Sequence, residues 1–352
     1  MPNLQRLKHN LKKNLFAEIT ILLSIGVMLY FLFSTDGLEA LLEMFFSLRA
    51  RWLIVACLAA VGTWLLEGYV LHLLGKRLEP RWKFRYSVST GMIGLLYSAL
   101  TPFSTGGQPM QIYTMKRHGM DMGMAGSIIA VKTLVYQIVM VLYSLVLVIL
   151  KLGFFYEKVS NFSFLIIAGL CANSLFITLV ILFAVSKKMT DKILHFVLNS
   201  LHRLRLCKNP QERYEKIHRE LMLFHDSYQR MGRCFGLYVS TAIYTVLQIT
   251  LNCLIPYFIY KAFNFSEASI LTMMAAQAFV TMVSAFVPLP GASGGAEGSF
   301  YLFFSMFFTR SGSIVPAILL WRFITYYFNI LFGCIFAWID NRSIEKGDVI
   351  AQ

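Results

Sequence analysis

The chain has 352 residues, 57% of them hydrophobic and only 14% charged, with a formal net charge of +14. That balance excludes a soluble globular domain and, together with the long apolar runs, reads as a polytopic membrane protein. The excess of Lys and Arg points to cytoplasmic loops and anionic headgroups, not to a nucleic-acid surface. The six cysteines are scattered, mostly within apolar runs, without a CxxC or Cys/His cluster, so neither a disulfide framework nor zinc is indicated.

In chain order, the basic N-terminal flank MPNLQRLKHNLKKN precedes a first span at 17–34 and lacks a small-residue cleavage site. A second span at 52–74 carries Glu67 and His72, and the basic KRLEPRWKFR follows as a cytoplasmic loop. The apolar run 88–100 is short for a span and reads as one arm of a re-entrant hairpin, with TPFSTGGQP at its tip. A third span at 126–150 carries Lys132, and a fourth covers 164–185. The polar segment 187–233 places Tyr214, Ile217, Leu221, Phe224, Tyr228 and Met231 at helical spacing after Asn209-Pro210, which predicts a basic amphipathic helix on the inner leaflet or beneath the bundle. A fifth span at 235–260 holds Gln248 and Asn252, a second hairpin falls near 268–308, and the last span at 314–339 carries Arg322 and Asn329.

The predicted fold is thus an all-α polytopic membrane protein with about six full spans and two re-entrant helical hairpins. Residues 1–186, with a hairpin near 88–115, and residues 234–352 form two membrane halves in an inverted internal repeat, joined by the cytoplasmic linker 187–233. Both termini are expected in the cytoplasm. If the hairpin arms crossed fully, the count would rise to about eight to ten.

The stretch SAFVPLPGASGGAEGS, 284–299, is dense in helix breakers, and backbone broken at membrane depth needs protein or water around it. SALTPFSTGGQ, 98–108, is its weaker copy. Pro102 aligns with Pro288 and Gly106-Gly107 with Gly294-Gly295, leaving two extra residues in the second copy. Matching interrupted segments point to a binding site at the interface of the halves.

Ionisable side chains within spans are costly, so Glu67, Lys132, Glu297 and Arg322 are site candidates. Glu297 either meets a ligand beside the Gly-rich tip or caps the broken hairpin. Arg322 suits a phosphate, or pairs internally with Glu67 or Glu297. Lys132, nearer its helix end, is expected to snorkel. Glu67 reads equally as an ion-pair partner or a ligand contact. Gln108, Gln111, Gln248, Asn252 and Gln277 line a pore or bridge helices. No HExxH, GxSxG or P-loop pattern is present, so no catalytic residue, metal or cofactor is assigned.

GGQP at Gly106–Pro109, KRHG at Lys116–Gly119, PLPGASGGAEG at Pro288–Gly298 and WRFITYYFNILFG at Trp321–Gly333 resemble the lysylphosphatidylglycerol-synthase transmembrane-region family. These are flippase-like proteins related to the N-terminal part of the multiple peptide resistance factor. The chain departs from the family at Gln108, where an acidic residue is common, near Gln111, where arginine is common, and near Asn329, where proline is frequent. The soluble aminoacyl-transferase domain that faces tRNA has no counterpart in this sequence, so an enzymatic role is not expected from the residues themselves.

The favoured expectation is a translocase of the bacterial plasma membrane, moving an anionic, aminoacylated or polyprenyl-phosphate lipid. Its headgroup would sit between the tips: Gly106, Gly107, Gln108, Gly294 and Gly295 with Arg322 and Lys132 at the phosphate, Glu297 and Glu67 at a cationic group or coupling proton. Partners would be phospholipid headgroups, with no nucleic acid and, as an option, a second copy of the chain. A lysyl transfer from Lys-tRNA to phosphatidylglycerol, assisted by a partner chain, and a small-solute or ion transporter stand as alternatives.

Overall fold

The computed structural model describes residues 47–158, 210–284, 287–310 and 312–345, with Gly347, Ile350 and isolated positions between 174 and 196. Every regular element among them is helical. The expected span at 17–34 lies outside the described residues, as does that at 164–185 apart from isolated positions. Among the described residues, four helices are long and apolar enough to cross a membrane. They are α1 (Ala50–Leu78), α4 (Met122–Lys158), α6 (Phe235–Ala262) and the composite run from Ile314 to Glu345. That run consists of α9 (Ile314–Arg322), a π-helical segment (Phe323–Tyr327) and α10 (Phe328–Glu345).

Between these lie two broken hairpins. The first joins α2 (Phe84–Leu100) to α3 (Gly107–Arg117) through a 3₁₀ turn at Pro102–Ser104. The second joins α7 (Ile270–Ser284) to α8 (Gly295–Phe304) through a 3₁₀ turn at Pro290–Ala292. The first arm begins at Phe84, earlier than apolarity alone suggests, because polar Tyr86, Ser87, Ser89 and Thr90 are buried against neighbours.

The reason for each break is local. A residue before proline is driven out of the α region. Thr101 is accordingly extended (φ −119, ψ 146) before Pro102, and Leu289 (φ −97, ψ 148) before Pro290. Phe103 (φ 52) and Gly291 (φ 60) then reverse the chain in left-handed conformations.

Ring and polar contacts show which helix ends lie together. On one face, His118 after α3 stacks on Tyr86 in the first turn of α2, with ring centroids 4.1 Å apart, and bonds Asp340 near the end of α10. Arg77 in the last turn of α1 reaches Cys234 just before α6. On the other face, the Arg49 N–H donates to Ala262 O, joining the start of α1 to the end of α6. Phe265 and Phe308 pack together there, and Phe307 stacks on Phe154 near the end of α4. The open ends of the two hairpins therefore lie at opposite faces, and their tips touch each other.

The amphipathic helix is present as α5 (Pro210–Gly232), with proline at its first position. It packs on the beginning of α4: Glu220 Oε2 accepts from Gly123 N at 2.8 Å, and Phe224 covers Gly126. Of the two placements expected for it, the described contacts are those of packing against the bundle.

Candidate functional site

Among the described residues, the four charged candidates fall into two separate buried clusters. The first gathers Glu67 of α1, Gln111 of α3, Lys132 of α4 and Gln248 of α6. The Lys132 ammonium pairs with Glu67 Oε1 and also donates to Gln111 Oε1 at 3.1 Å. Gln111 Nε2 donates to Glu67 Oε1 at 3.1 Å, and Gln248 Nε2 to Glu67 Oε2 at 3.2 Å. Both carboxylate oxygens are thus occupied, as a buried charge requires. Two glycines of α2 make the room: a side chain at Gly91 would press on Glu67, and one at Gly94 would overlap Gln111. Lys132 corrects the expectation of snorkelling. Its ammonium turns inward, since a carboxylate and a carbonyl oxygen are closer partners than the helix end.

The second cluster lies at the tip of the second hairpin. Arg322 Nε donates to Glu297 Oε1 at 2.7 Å, and Arg322 Nη1 to Gly291 O at 3.0 Å. Both side chains are buried. Glu297 Oε2 accepts from Gly294 N at 2.7 Å, closing a capping box at the start of α8. Of the readings open for these residues, capping and the Arg322–Glu297 pair are what the geometry contains. The guanidinium also faces the Trp321 and Tyr326 rings at 5.3 and 5.1 Å. One edge stays unused: Arg322 Nη2 is buried with no hydrogen-bond partner, as is Trp321 Nε1 beside it.

The two tips share one backbone design. Thr105 N and Ser293 N donate to the Pro102 and Pro290 carbonyls at 3.1 and 3.2 Å, and the Thr105 and Ser293 hydroxyls bond the same carbonyls at 2.9 Å each. Met110 N and Gly298 N close the first turns of α3 and α8 onto Gly106 O and Gly294 O. This matching corrects the alignment made from sequence. Pro102 corresponds to Pro290, not Pro288, and the two extra residues vanish. The Gly106 N–H is satisfied by Thr101 Oγ1 at 2.8 Å, the Gly294 N–H by Glu297. The same orphan donor is met by a hydroxyl in one tip and by a carboxylate in the other.

The remaining candidates scatter. Gly107 is buried, tightly against Ser98 of α2, and Gly295 against Val287, so both allow close packing. Gly106 is half-buried, whereas Gln108 and Gly294 are exposed. Gln108 therefore joins neither cluster. Gln277 is buried in α7, and Asn252 is half-buried in α6. Among the described residues, no three His, Cys, Asp or Glu side chains converge as metal ligands would.

Three links were not read from the sequence. Tyr326 Oη donates to Ala99 O at 3.3 Å, tying the last span to the first tip. Asn329, where the family often has proline, accepts from Trp64 Nε1 and donates to Thr325 O, each at 2.7 Å. His118 and Asp340 form a buried pair at 2.7 Å. The asparagine within an apolar helix was the one available signal; nothing in the local pattern marks the other two.

A bundle of long apolar helices with polar clusters sealed inside and two broken hairpins defines a polytopic α-helical membrane protein. Comparison with known proteins makes this specific. The model of the lysylphosphatidylglycerol synthase TM region matches residues 17–333, and the chain belongs to that family. It is also similar to a UPF0104 membrane protein from Archaeoglobus fulgidus, with 28% identity over 323 residues, covering 86% of this chain and 90% of that protein.

Proposed function

We propose that the protein is a lipid translocator, in which an anionic, aminoacylated or polyprenyl-phosphate headgroup passes between the two hairpin tips. The observation that carries this reading is the buried Arg322 guanidinium beside the meeting tips, with its Nη2 edge unpartnered. A guanidinium edge suits a phosphate oxygen. In this reading Arg322 takes the phosphate, while Glu297 faces a cationic headgroup or a coupling proton. Glu67 and Lys132 form the second charged pair, opened when the first hairpin moves.

The architecture supports the same reading. Arms of 17, 11, 15 and 10 residues reach only about 15–25 Å at helical rise, less than a hydrocarbon core of about 30 Å. We therefore read both hairpins as re-entrant, entering from opposite sides. Each half then runs span, hairpin, span: α1, α2–α3, α4 and, inverted, α6, α7–α8, α9–α10. Tip residues Phe103, Ser104, Thr105 and Gly294 are exposed, which at membrane depth calls for a water-lined cavity. Lys76, Arg77, Arg81, Lys83, Arg85, Lys116 and Arg117 crowd the face where the first hairpin opens, which favours that face, and the C-terminus with it, as cytoplasmic.

The test is photo-crosslinking with phosphatidylglycerol carrying a headgroup diazirine. Label in the peptides covering 101–109 and 287–298, competed by unlabelled lipid, supports the reading. Label confined to the outer surfaces of α4 and α6 overturns it.

A further inference from the structure

We propose that His118, Arg117 and Asp340 form a latch that holds the first hairpin shut at the basic face, so that this face opens only when they part. The purpose assigned to the latch rests on the alternating-access reading above; its existence does not.

The pair joins elements from the two ends of the chain. His118 follows α3 and Asp340 lies in α10, 222 residues away, yet Nε2 and Oδ1 are 2.7 Å apart and both side chains are 1% exposed. Arg117 Nη1 adds a second charge 3.7 Å from Asp340 Oδ2, and Arg117 Nη2 donates to Asn341 Oδ1 at 2.6 Å. The Ile350 N–H donates to His118 O at 2.9 Å, so Ile350 rests on the same point.

This is a poor device for static packing. Removing a carboxylate and an imidazole from water costs several kcal/mol, and apolar groups of the same shape fill such a site as well. The polar capacity is also incompletely used, since His118 Nδ1 and Asp340 Oδ2 lack hydrogen-bond partners. A pair joined by a single hydrogen bond, with only a longer ion pair on its far side, is cheap to part and specific to re-form. The second hairpin contrasts with it: its open end is closed by the rings of Tyr260, Phe263, Phe265 and Phe308. One gate is polar and switchable, the other an aromatic plug. His118 lies flat on Tyr86 of α2, so parting the pair frees α2 and α3 together.

Amide hydrogen exchange of the full chain in lipid nanodiscs tests this, comparing wild type with Asp340→Asn, His118→Phe and the double variant. Phenylalanine keeps the stack on Tyr86 and removes the polar nitrogens. The latch predicts that each single variant speeds exchange in residues 107–119 by about tenfold or more, the scale of a lost charge-assisted hydrogen bond. It also predicts unchanged exchange across α7 and α8, and a double variant no faster than Asp340→Asn alone. Unchanged exchange in 107–119 in both folded single variants overturns the proposal. So does equal acceleration in both hairpins, which would mean general loosening. No transport measurement enters, so failure of the lipid reading and failure of the latch are told apart.

Discussion

Arg322 and Glu297 depend on each other: the carboxylate neutralises the guanidinium and caps Gly294, and the guanidinium holds Gly291 O. Removing one partner of a buried pair leaves an uncompensated charge and costs about 3–5 kcal/mol, whereas replacing both by apolar groups is far milder. Thermal unfolding in detergent should therefore show Arg322→Ala strongly destabilised, and Arg322→Met with Glu297→Leu largely recovered. A translocation role adds that the double variant, though stable, moves no lipid. The first cluster behaves alike: Lys132→Met strands Glu67, and Glu67→Gln in the same chain restores most of the lost stability. Glu67, Lys132, Glu297 and Arg322 were visible in the sequence as charges inside apolar runs. Which carboxylate each cation would take was not, because the partners lie on different helices and only the packed bundle brings Gln111 and Gln248 to Glu67.

Each tip consists of an extended residue before a proline, a left-handed reversal, and a glycine opening the next helix. At Gly291 the reversal costs nothing intrinsically, but any Cβ would overlap the Tyr326 ring. Gly291→Ala should thus cost about 1–3 kcal/mol and loosen the Tyr326 bond to Ala99. At Phe103 the same conformation is held by a non-glycine residue that is exposed. Phe103→Gly should be neutral or stabilising by up to about 1 kcal/mol in thermal unfolding. The presence of two breaks was legible from Pro and Gly density. Their register was not, since Pro288 and Pro290 compete for one role and only the backbone hydrogen bonds identify Pro290 as the counterpart of Pro102. The start of α2 was also hidden, because its buried face there is polar and breaks the apolar pattern.

At the scale of the whole fold, four long apolar helices among the described residues frame two hairpins that open at opposite faces. The amphipathic helix α5 was legible as an element from its spacing, while its seat on α4 required Gly123 and Gly126, whose small size carries no pattern of its own. The orientation proposed above, with the basic face inside, rests on charge alone and is open to direct test. A cysteine placed at Arg81 should resist a membrane-impermeant thiol reagent in intact cells, and one placed at Glu267 should react; the reverse pattern would invert the topology.

The most direct test of the central claim is translocation itself. Liposomes containing the purified protein and headgroup-labelled phospholipid are probed with an impermeant quencher, comparing wild type with Glu297→Gln. The account predicts label exchange between leaflets in the wild type and its loss in the folded variant. Equal exchange in both, or none in the wild type with anionic, aminoacylated or polyprenyl-phosphate lipid in either gradient direction, would contradict it.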